Sequence, residues 1–131
     1  MRALDSNVLL RYLIADDPRQ SAIAEGIIEK CRQSEEPLFI PVLVLCETIW
    51  VLDRIYQQSK AQITETVEVL LAMDLLRFEH DRIVRRAFDR FRESRGDFPD
   101  YLIGEIASAA GCRDTVTFDR ALKSSPGFTI L

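Results

Sequence analysis

The predicted elements of the chain are organised around the stretch Gly96–Arg120, which reads GDFPDYLIGEIASAAGCRDTVTFDR. Its pattern predicts a short helix, a glycine stop, a brief strand and an acidic turn. Asp97 and Asp100 open the helix, and Pro99 stands in the first turn, where the missing proline N–H does no harm. We expect the small apolar body of this helix to pack closely against a neighbouring element. That body consists of Leu102, Ile103, Ile106, Ala107, Ala109 and Ala110.

The acidic residues of this stretch have two explanations. In the structural one, Asp97 is a helix N-cap and Asp100 is a first-turn residue favoured by the helix dipole. Asp119, which ends the extended run Val116–Phe118, then caps the turn that follows. In the chemical one, these carboxylates belong to a site, and that explanation depends on further carboxylates arriving at the same edge of the fold.

Composition indicates one globular domain over residues 1–131, with 47% hydrophobic and 29% charged residues. No apolar run approaches the roughly 20 residues of a membrane span, and Asp5 interrupts any signal-peptide core. The three cysteines are widely spaced and odd in number, which predicts free thiols in a reducing cytoplasm. His80 is the only histidine, so a histidine-based metal site is excluded.

The net charge of −4 argues against a nucleic-acid partner, but its distribution weakens that argument. Five of the 21 acidic residues are candidates for a cation site, and the other 16 are balanced by 17 basic residues. Seven of the basic residues fall between Arg77 and Arg95. Five of them are expected on the outer face of the helix predicted there: Arg82, Arg85, Arg86, Arg90 and Arg92. This basic face is either an ordinary solvated surface or a contact for RNA phosphates or an acidic partner.

The N-terminal segment predicts a strand over Arg2–Asp5, a turn and then a helix. Asp5 stands at the carboxyl end of that strand, the edge where open α/β sheets bind ligands. The turn also allows an N-cap at Ser6 or Asn7. A second helix is predicted from Pro18 to about Gln33.

A strand at Leu38–Ile40 is followed by a helix that begins at Pro41. Glu47 is the only charged residue between Val42 and Leu52, and apolar residues surround it on all faces. We therefore expect a buried helix, in which a carboxylate is costly unless a cation or strong donors compensate it. The structural alternative is an ion pair, either with Arg54 or with an arginine from elsewhere in the chain.

The remaining pattern predicts helices over Gln62–Met73 and Asp81–Arg95 and strands at Leu75–Phe78 and Phe128–Leu131. Strands that alternate with helices favour an α/β fold with a parallel sheet. Right-handed crossovers bring four carboxylates to one rim of that sheet: Asp5, Glu47, Asp100 and Asp119. Divalent cations relieve their mutual repulsion, and all-oxygen ligands suit Mg²⁺ or Mn²⁺. Such a site is suited to phosphodiester hydrolysis.

The sequence resembles PIN-domain ribonucleases over essentially its whole length. The resemblance rests on D-S-N near the start, the isolated glutamate, D-Y-L-I-G-E-I-A and T-F-D, in that order. The small size of the chain is similar to that of the toxin component of VapBC-type toxin–antitoxin pairs. The resemblance implies a three-layer α/β/α sandwich with a central parallel sheet. It also implies a Mg²⁺-dependent endoribonuclease that cleaves structured RNA such as tRNA, forms a homodimer and is inhibited by a cognate VapB-type antitoxin.

The resemblance also implies roles for individual residues. Those that match the family's four catalytic and metal-binding carboxylates are, in order, Asp5, Glu47, Asp100 and Asp119. Asn7 and Thr117 match positions whose polar side chains support the acidic cluster. Asp97 matches less regularly and is expected to be a peripheral ligand or a helix cap.

Two other functional classes remain open from the sequence. A receiver-like signalling domain also holds Mg²⁺ in an acidic pocket, but it has an adjacent acidic pair after its first strand, whereas Asp5 stands alone. A structural interaction protein would use the carboxylates as caps, which does not account for Glu47.

Overall fold

The structure is a computed structural model that describes residues 1–131, and strands alternate with helices along the chain. The five strands are β1 (Arg2–Ala3), β2 (Leu38–Ile40), β3 (Leu76–Phe78), β4 (Thr115–Thr117) and β5 (Phe128–Ile130). The six α-helices are α1 (Ser6–Leu13), α2 (Pro18–Gln33), α3 (Val42–Arg54), α4 (Lys60–Ala72), α5 (Asp81–Glu93) and α6 (Phe98–Ala109). A 3₁₀-helix, Arg120–Leu122, follows β4. The predicted order of elements is confirmed.

The chain forms two compact units, an N-terminal unit (Met1–Glu79) and a C-terminal unit (His80–Leu131). In the N-terminal unit, β1, β2 and β3 form a parallel sheet in that order. The middle strand β2 is fully buried at Leu38 and Ile40. Because the strands are parallel, α1 and α3 both begin at the carboxyl edge of this sheet, which is the edge expected to carry function.

Local capping explains where the helices of the N-terminal unit begin. Pro18 opens α2, and the carboxylate of Asp17 accepts the N–H of Gln20 at 3.0 Å. Helix α4 starts at Lys60, two residues before the predicted Gln62, because Ser59 and Gln62 form a reciprocal capping box. The apolar residues that these helices bury include Leu9, Ile28, Leu45, Leu52 and Val67.

In the C-terminal unit, β4 and β5 form a parallel pair, with Thr115 opposite Phe128. Helices α5 and α6 pack against each other through edge-to-face contacts of Phe98 with Phe88 and Phe91, at centroid distances of 6.4 and 6.0 Å. The predicted α/β class with parallel strands is therefore confirmed in both units.

Helix α6 corrects one expectation. Leu102 is buried, but Ile103 is 55% exposed, and Ile106, Ala109 and Ala110 are exposed as well. The expectation of close packing over the whole apolar body was wrong, because a helix packed against a neighbouring helix buries a stripe of its surface rather than every face. The three cysteines are free thiols, as expected, and none of the helices has the length and apolar character needed to cross a membrane.

Candidate active site

Asp5 lies at the carboxyl edge of the N-terminal sheet, two residues beyond β1. It occupies the N-cap position of α1, yet its side chain makes no capping hydrogen bond, and only its backbone carbonyl accepts the N–H of Leu9. Its carboxylate is exposed and takes part in no hydrogen bond or ion pair. Asn7, in the first turn of α1, likewise makes no side-chain hydrogen bond. The capping explanation therefore leaves the Asp5 carboxylate free to bind a ligand.

Glu47 lies in the second turn of α3 and is exposed, which corrects the prediction that it is buried. Leu43 and Trp50, one turn to either side on the same face of the helix, are also exposed. The alternative ion pair is absent, since Arg54 contacts Asp53 at 3.5 Å instead. Like Asp5, Glu47 offers a carboxylate with no partner.

Glu79 is a carboxylate at this edge that the sequence analysis missed. It directly follows β3, and its Oε1 accepts the N–H of Val42, the first residue of α3, at 2.9 Å. Its own N–H donates to Ile40 at 3.0 Å. Glu79 therefore caps and orients the helix that carries Glu47, and its position directly after a strand was the available signal.

Asp97 and Asp100 open α6 in the C-terminal unit. Asp97 is the N-cap, and its N–H donates to Oδ2 of Asp100 at 3.0 Å, in a capping-box arrangement. Asp97 therefore occupies the cap position of α6, which is one of the two roles expected for it, and its role as a peripheral ligand stays a prediction. Asp97 is exposed, whereas Asp100 is half-buried with only one carboxylate oxygen used by the cap.

Asp119 is positioned by hydrogen bonds on both sides. Its N–H donates to the Thr117 hydroxyl at 3.0 Å, and its Oδ1 accepts the N–H of Ala121 at 2.9 Å, which starts the 3₁₀-helix. The Thr117 hydroxyl therefore holds the backbone of Asp119, and its support of an acidic cluster stays a prediction. The capping and chemical explanations are compatible here, because Oδ2 has no hydrogen-bond partner in the cap.

The charges of Asp97 and Asp119 act on the half-buried carboxylate of Asp100. Burial raises the pKa of Asp100 above its ordinary value, and the negative charges of Asp97 and Asp119 raise it further, while the hydrogen bond from the Asp97 backbone opposes them. Asp100 therefore lies in a field that disfavours its ionised form, and a cation would reverse that effect.

The donor chemistry of these residues fits a hard divalent cation. All are carboxylate oxygens, which Mg²⁺ and Mn²⁺ prefer. Asp5 and Glu47 have unpartnered carboxylates, and the field at Asp100 favours a positive charge. The structure contains no group of three or more acidic, histidine or cysteine side chains that could hold a metal ion, so the convergence of the four carboxylates on one cation stays a prediction.

The basic face of α5 is smaller than the sequence predicted. Arg90 is turned inward, where it pairs with Glu105 at 3.1 Å and donates to the carbonyl of Pro126 at 2.5 Å. The exposed arginines of α5 include Arg82 and Arg86. Assigning Arg90 to the outer face was wrong, because its partners lie in α6 and before β5, far along the sequence.

The chain is similar to known proteins in both sequence and structure. The family model of the PIN domain matches residues 2–126. A VapC ribonuclease of Aquifex aeolicus (strain VF5) is 31% identical over 123 residues, which cover 94% of this chain and 90% of that protein. The crystal structure of Mycobacterium tuberculosis VapC20, a toxin that cleaves the sarcin–ricin loop, covers 97% of this chain with a TM-score of 0.43 and 17% identity, over 96% of its own length. The segment matched by the family model contains every carboxylate that the sequence singled out.

Proposed function

We propose that this chain, which belongs to the PIN-domain family, is a VapC-type ribonuclease that hydrolyses RNA with a divalent cation. The relative that is 31% identical over 94% of the chain is a VapC ribonuclease, which supports the activity. The observation that carries the site is Asp100, a half-buried carboxylate whose pKa is raised by burial and by two neighbouring acids. In this proposal residues 1–131 act as one PIN domain.

The residues proposed to hold the cation are Asp5, Asp100 and Asp119, with Glu47 completing the set. Mg²⁺ or Mn²⁺ is the expected ion because every donor is a carboxylate oxygen. Free carboxylates on Asp5 and Glu47 and the free Oδ2 of Asp119 support this assignment. When bound, the cation polarises water and offsets the charge that develops on the phosphate.

The protein groups then orient the reactants. Glu47 accepts a hydrogen bond from the attacking water and takes up its proton, so that the water oxygen forms the new bond to phosphorus. The bond from phosphorus to the ribose 3′ oxygen breaks, and this oxygen takes a proton from solvent water. The products then carry a 5′-phosphate and a 3′-hydroxyl. Thr117 keeps Asp119 in place through its hydroxyl, Asn7 is assigned a similar supporting role beside Asp5, and Asp97 is peripheral.

The proposed substrate is RNA, with tRNA or another structured RNA as the expected class. The exposed Arg82 and Arg86 on α5 are available to contact phosphates. A cognate VapB-type antitoxin is the proposed inhibitor, with a basic side chain of its tail reaching the carboxylates, and the active form is proposed to be a homodimer. Co-expression with the neighbouring antitoxin gene should then restore growth of cells in which this chain is toxic.

The test is RNA cleavage by the purified chain with Mg²⁺, with EDTA and with single variants. Asp5→Asn and Asp100→Asn keep the shape but remove the charge, and activity should fall by orders of magnitude, equivalent to about 3–4 kcal/mol of transition-state stabilisation. Asp53→Asn, an exposed carboxylate of α3, is the matched control and should cleave like the wild type.

End-group analysis of the products completes the experiment. Hydrolysis by water leaves 5′-phosphates, whereas attack by the ribose 2′-hydroxyl leaves 2′,3′-cyclic phosphates. Cleavage that persists in EDTA, or cyclic phosphate ends, would contradict the proposal.

A further inference from the structure

Tyr101 directly follows Asp100 and is completely buried in the C-terminal unit. A buried phenol hydroxyl is costly unless it is hydrogen-bonded, so the partners of this hydroxyl reveal what the residue holds. Phenylalanine would fill the same volume without that requirement. The hydroxyl is therefore the feature of Tyr101 that needs an explanation.

The hydroxyl joins the two acidic segments of the C-terminal unit. It accepts the N–H of Gly96, the residue before Asp97, at 3.0 Å. It also lies 3.1 Å from the hydroxyl of Ser125, with which it shares a hydrogen bond. The Ser125 N–H in turn donates to the carbonyl of Leu122, the last residue of the 3₁₀-helix that Asp119 caps. One oxygen thus links the start of α6 to the segment that follows Asp119.

Gly96, at one end of this link, is closely packed. A Cβ atom on Gly96 would lie 2.4 Å from Cδ2 of Leu122 and 2.8 Å from the Tyr101 hydroxyl. Gly96 therefore packs closely against two side chains, that of Leu122 in the 3₁₀-helix and the phenol of Tyr101. The start of α6 and the 3₁₀-helix thus meet at Gly96, where there is no room for a side chain.

The ring of Tyr101 is held on both sides. It packs edge-to-face on Phe128, with centroids 6.2 Å apart, and the guanidinium of Arg90 lies 5.1 Å from its centre. Arg90 is itself fixed by Glu105 and by the carbonyl of Pro126. The hydroxyl is consequently held at one position, which a linking group requires.

We propose that Tyr101 is a positioning residue, whose hydroxyl fixes the spacing between the metal-binding carboxylates Asp100 and Asp119. This inference rests on the proposed function, since those two residues act together only if they share a cation. Tyr101 contacts neither RNA nor cation, and it acts through the backbone on which the two carboxylates stand. Groups of this kind, which orient metal ligands, typically change metal affinity by about 10–100-fold when they are lost.

The test is Tyr101→Phe, which removes one oxygen and keeps the ring. Tyr56→Phe is the matched control, because it also removes a hydroxyl with a hydrogen bond, here the 2.6 Å bond to Asp16 in the N-terminal unit. Ser125→Ala cuts the link at its other end and leaves the bond from Gly96 intact. The readouts are Mn²⁺ affinity by calorimetry, kcat and KM for RNA, and hydrogen exchange of the Gly96 amide.

For Tyr101→Phe we expect Mn²⁺ affinity to fall by about tenfold or more, with Ser125→Ala intermediate and Tyr56→Phe unchanged. The Gly96 amide should exchange faster. At limiting Mn²⁺, kcat should fall with KM for RNA unchanged, and saturating Mn²⁺ should restore kcat. A double variant, Tyr101→Phe with Ser125→Ala, should be no worse than Tyr101→Phe alone, because both cut the same link.

A purely structural role would give a different result. Tyr101→Phe would then melt at a lower temperature while the folded protein bound Mn²⁺ with the wild-type affinity, and that outcome would overturn the inference and leave the proposed function standing. A wild-type chain that binds no Mn²⁺ would overturn the proposed function, and this inference with it. The wild-type titration alone distinguishes the two failures.

Discussion

Arg90→Ala should destabilise the protein more than any other change to an arginine of α5. Arg90 and Glu105 form a largely buried pair, with side chains 24% and 16% exposed, and the guanidinium also stacks over Tyr101 and Phe128. Removing one partner of a fully buried ion pair costs about 3–5 kcal/mol, because the other charge is left buried without a partner. Exposed pairs contribute about 0–1 kcal/mol. Since this pair is partly exposed, we expect its loss to cost about 2 kcal/mol. Each ring contact adds about 0.5 kcal/mol, for a total of roughly 3 kcal/mol.

The assay is urea denaturation followed by far-UV circular dichroism, and the matched control is Arg86→Ala, an exposed arginine on the same helix. Arg86→Ala should change the free energy of unfolding by less than about 0.5 kcal/mol. Arg90→Lys keeps the charge but loses the planar stacking, so it should recover only part of the loss. Combining Arg90→Ala with Glu105→Gln should cost less than the sum of the two single changes, since the stranded charge is gone. An Arg90→Ala variant as stable as Arg86→Ala would show that the Glu105 pair and the two ring contacts contribute little to stability.

Three further predictions concern stability. Burial and two neighbouring carboxylates raise the pKa of Asp100, so its ionised form destabilises the metal-free protein at pH values above that raised pKa, but not below the ordinary pKa. Asp100→Asn should therefore raise the free energy of unfolding near pH 7 and change it little near pH 3. A gain in stability at both pH values would contradict this explanation. A Cβ on Gly104 would lie 2.7 Å from Phe128, so Gly104→Ala should destabilise the protein by about 1–3 kcal/mol. Gly26 lies in the middle of α2 with open space around it, so Gly26→Ala should stabilise the protein by about 0.5–1 kcal/mol. Equal effects of the two changes in urea titrations would contradict the predicted clash at Gly104. Ser59→Ala removes the capping box of α4 and should cost about 1 kcal/mol, with Ser59→Asp retaining most of the stability in the same assay.

The sequence predicted local features well because they depend on neighbouring residues. Turn and capping signals around Pro18 and Asp97 located the starts of two helices, and short apolar runs located β2. The sequence predicts either a cap or a chemical role for Asp119. In the structure Oδ1 accepts the capping hydrogen bond from Ala121, and Oδ2 takes no part in the cap. Local hydrogen bonds of this kind follow from residue type and spacing alone.

Features that depend on distant partners were not predictable in the same way. Apolar residues on all faces of α3 predict a buried helix, but the sequence does not show which face a neighbouring element covers. Glu47 lies on an uncovered face, between the exposed Leu43 and Trp50. Arg90 fitted a charged outer face until its partner Glu105 was known. Glu79 caps a helix that begins 37 residues earlier in the chain, and no local pattern records such a contact.

In the proposed site, carboxylates from distant parts of the chain bind one cation. A Mn²⁺ titration of Asp5→Asn and Asp119→Asn measures this shared binding. Each variant should lose at least about tenfold in affinity, because each removes a charged ligand from the same ion. Asp53→Asn should bind Mn²⁺ like the wild type. If Asp5→Asn binds Mn²⁺ with wild-type affinity while Asp119→Asn does not, the two carboxylates do not share a cation and the proposed site is contradicted.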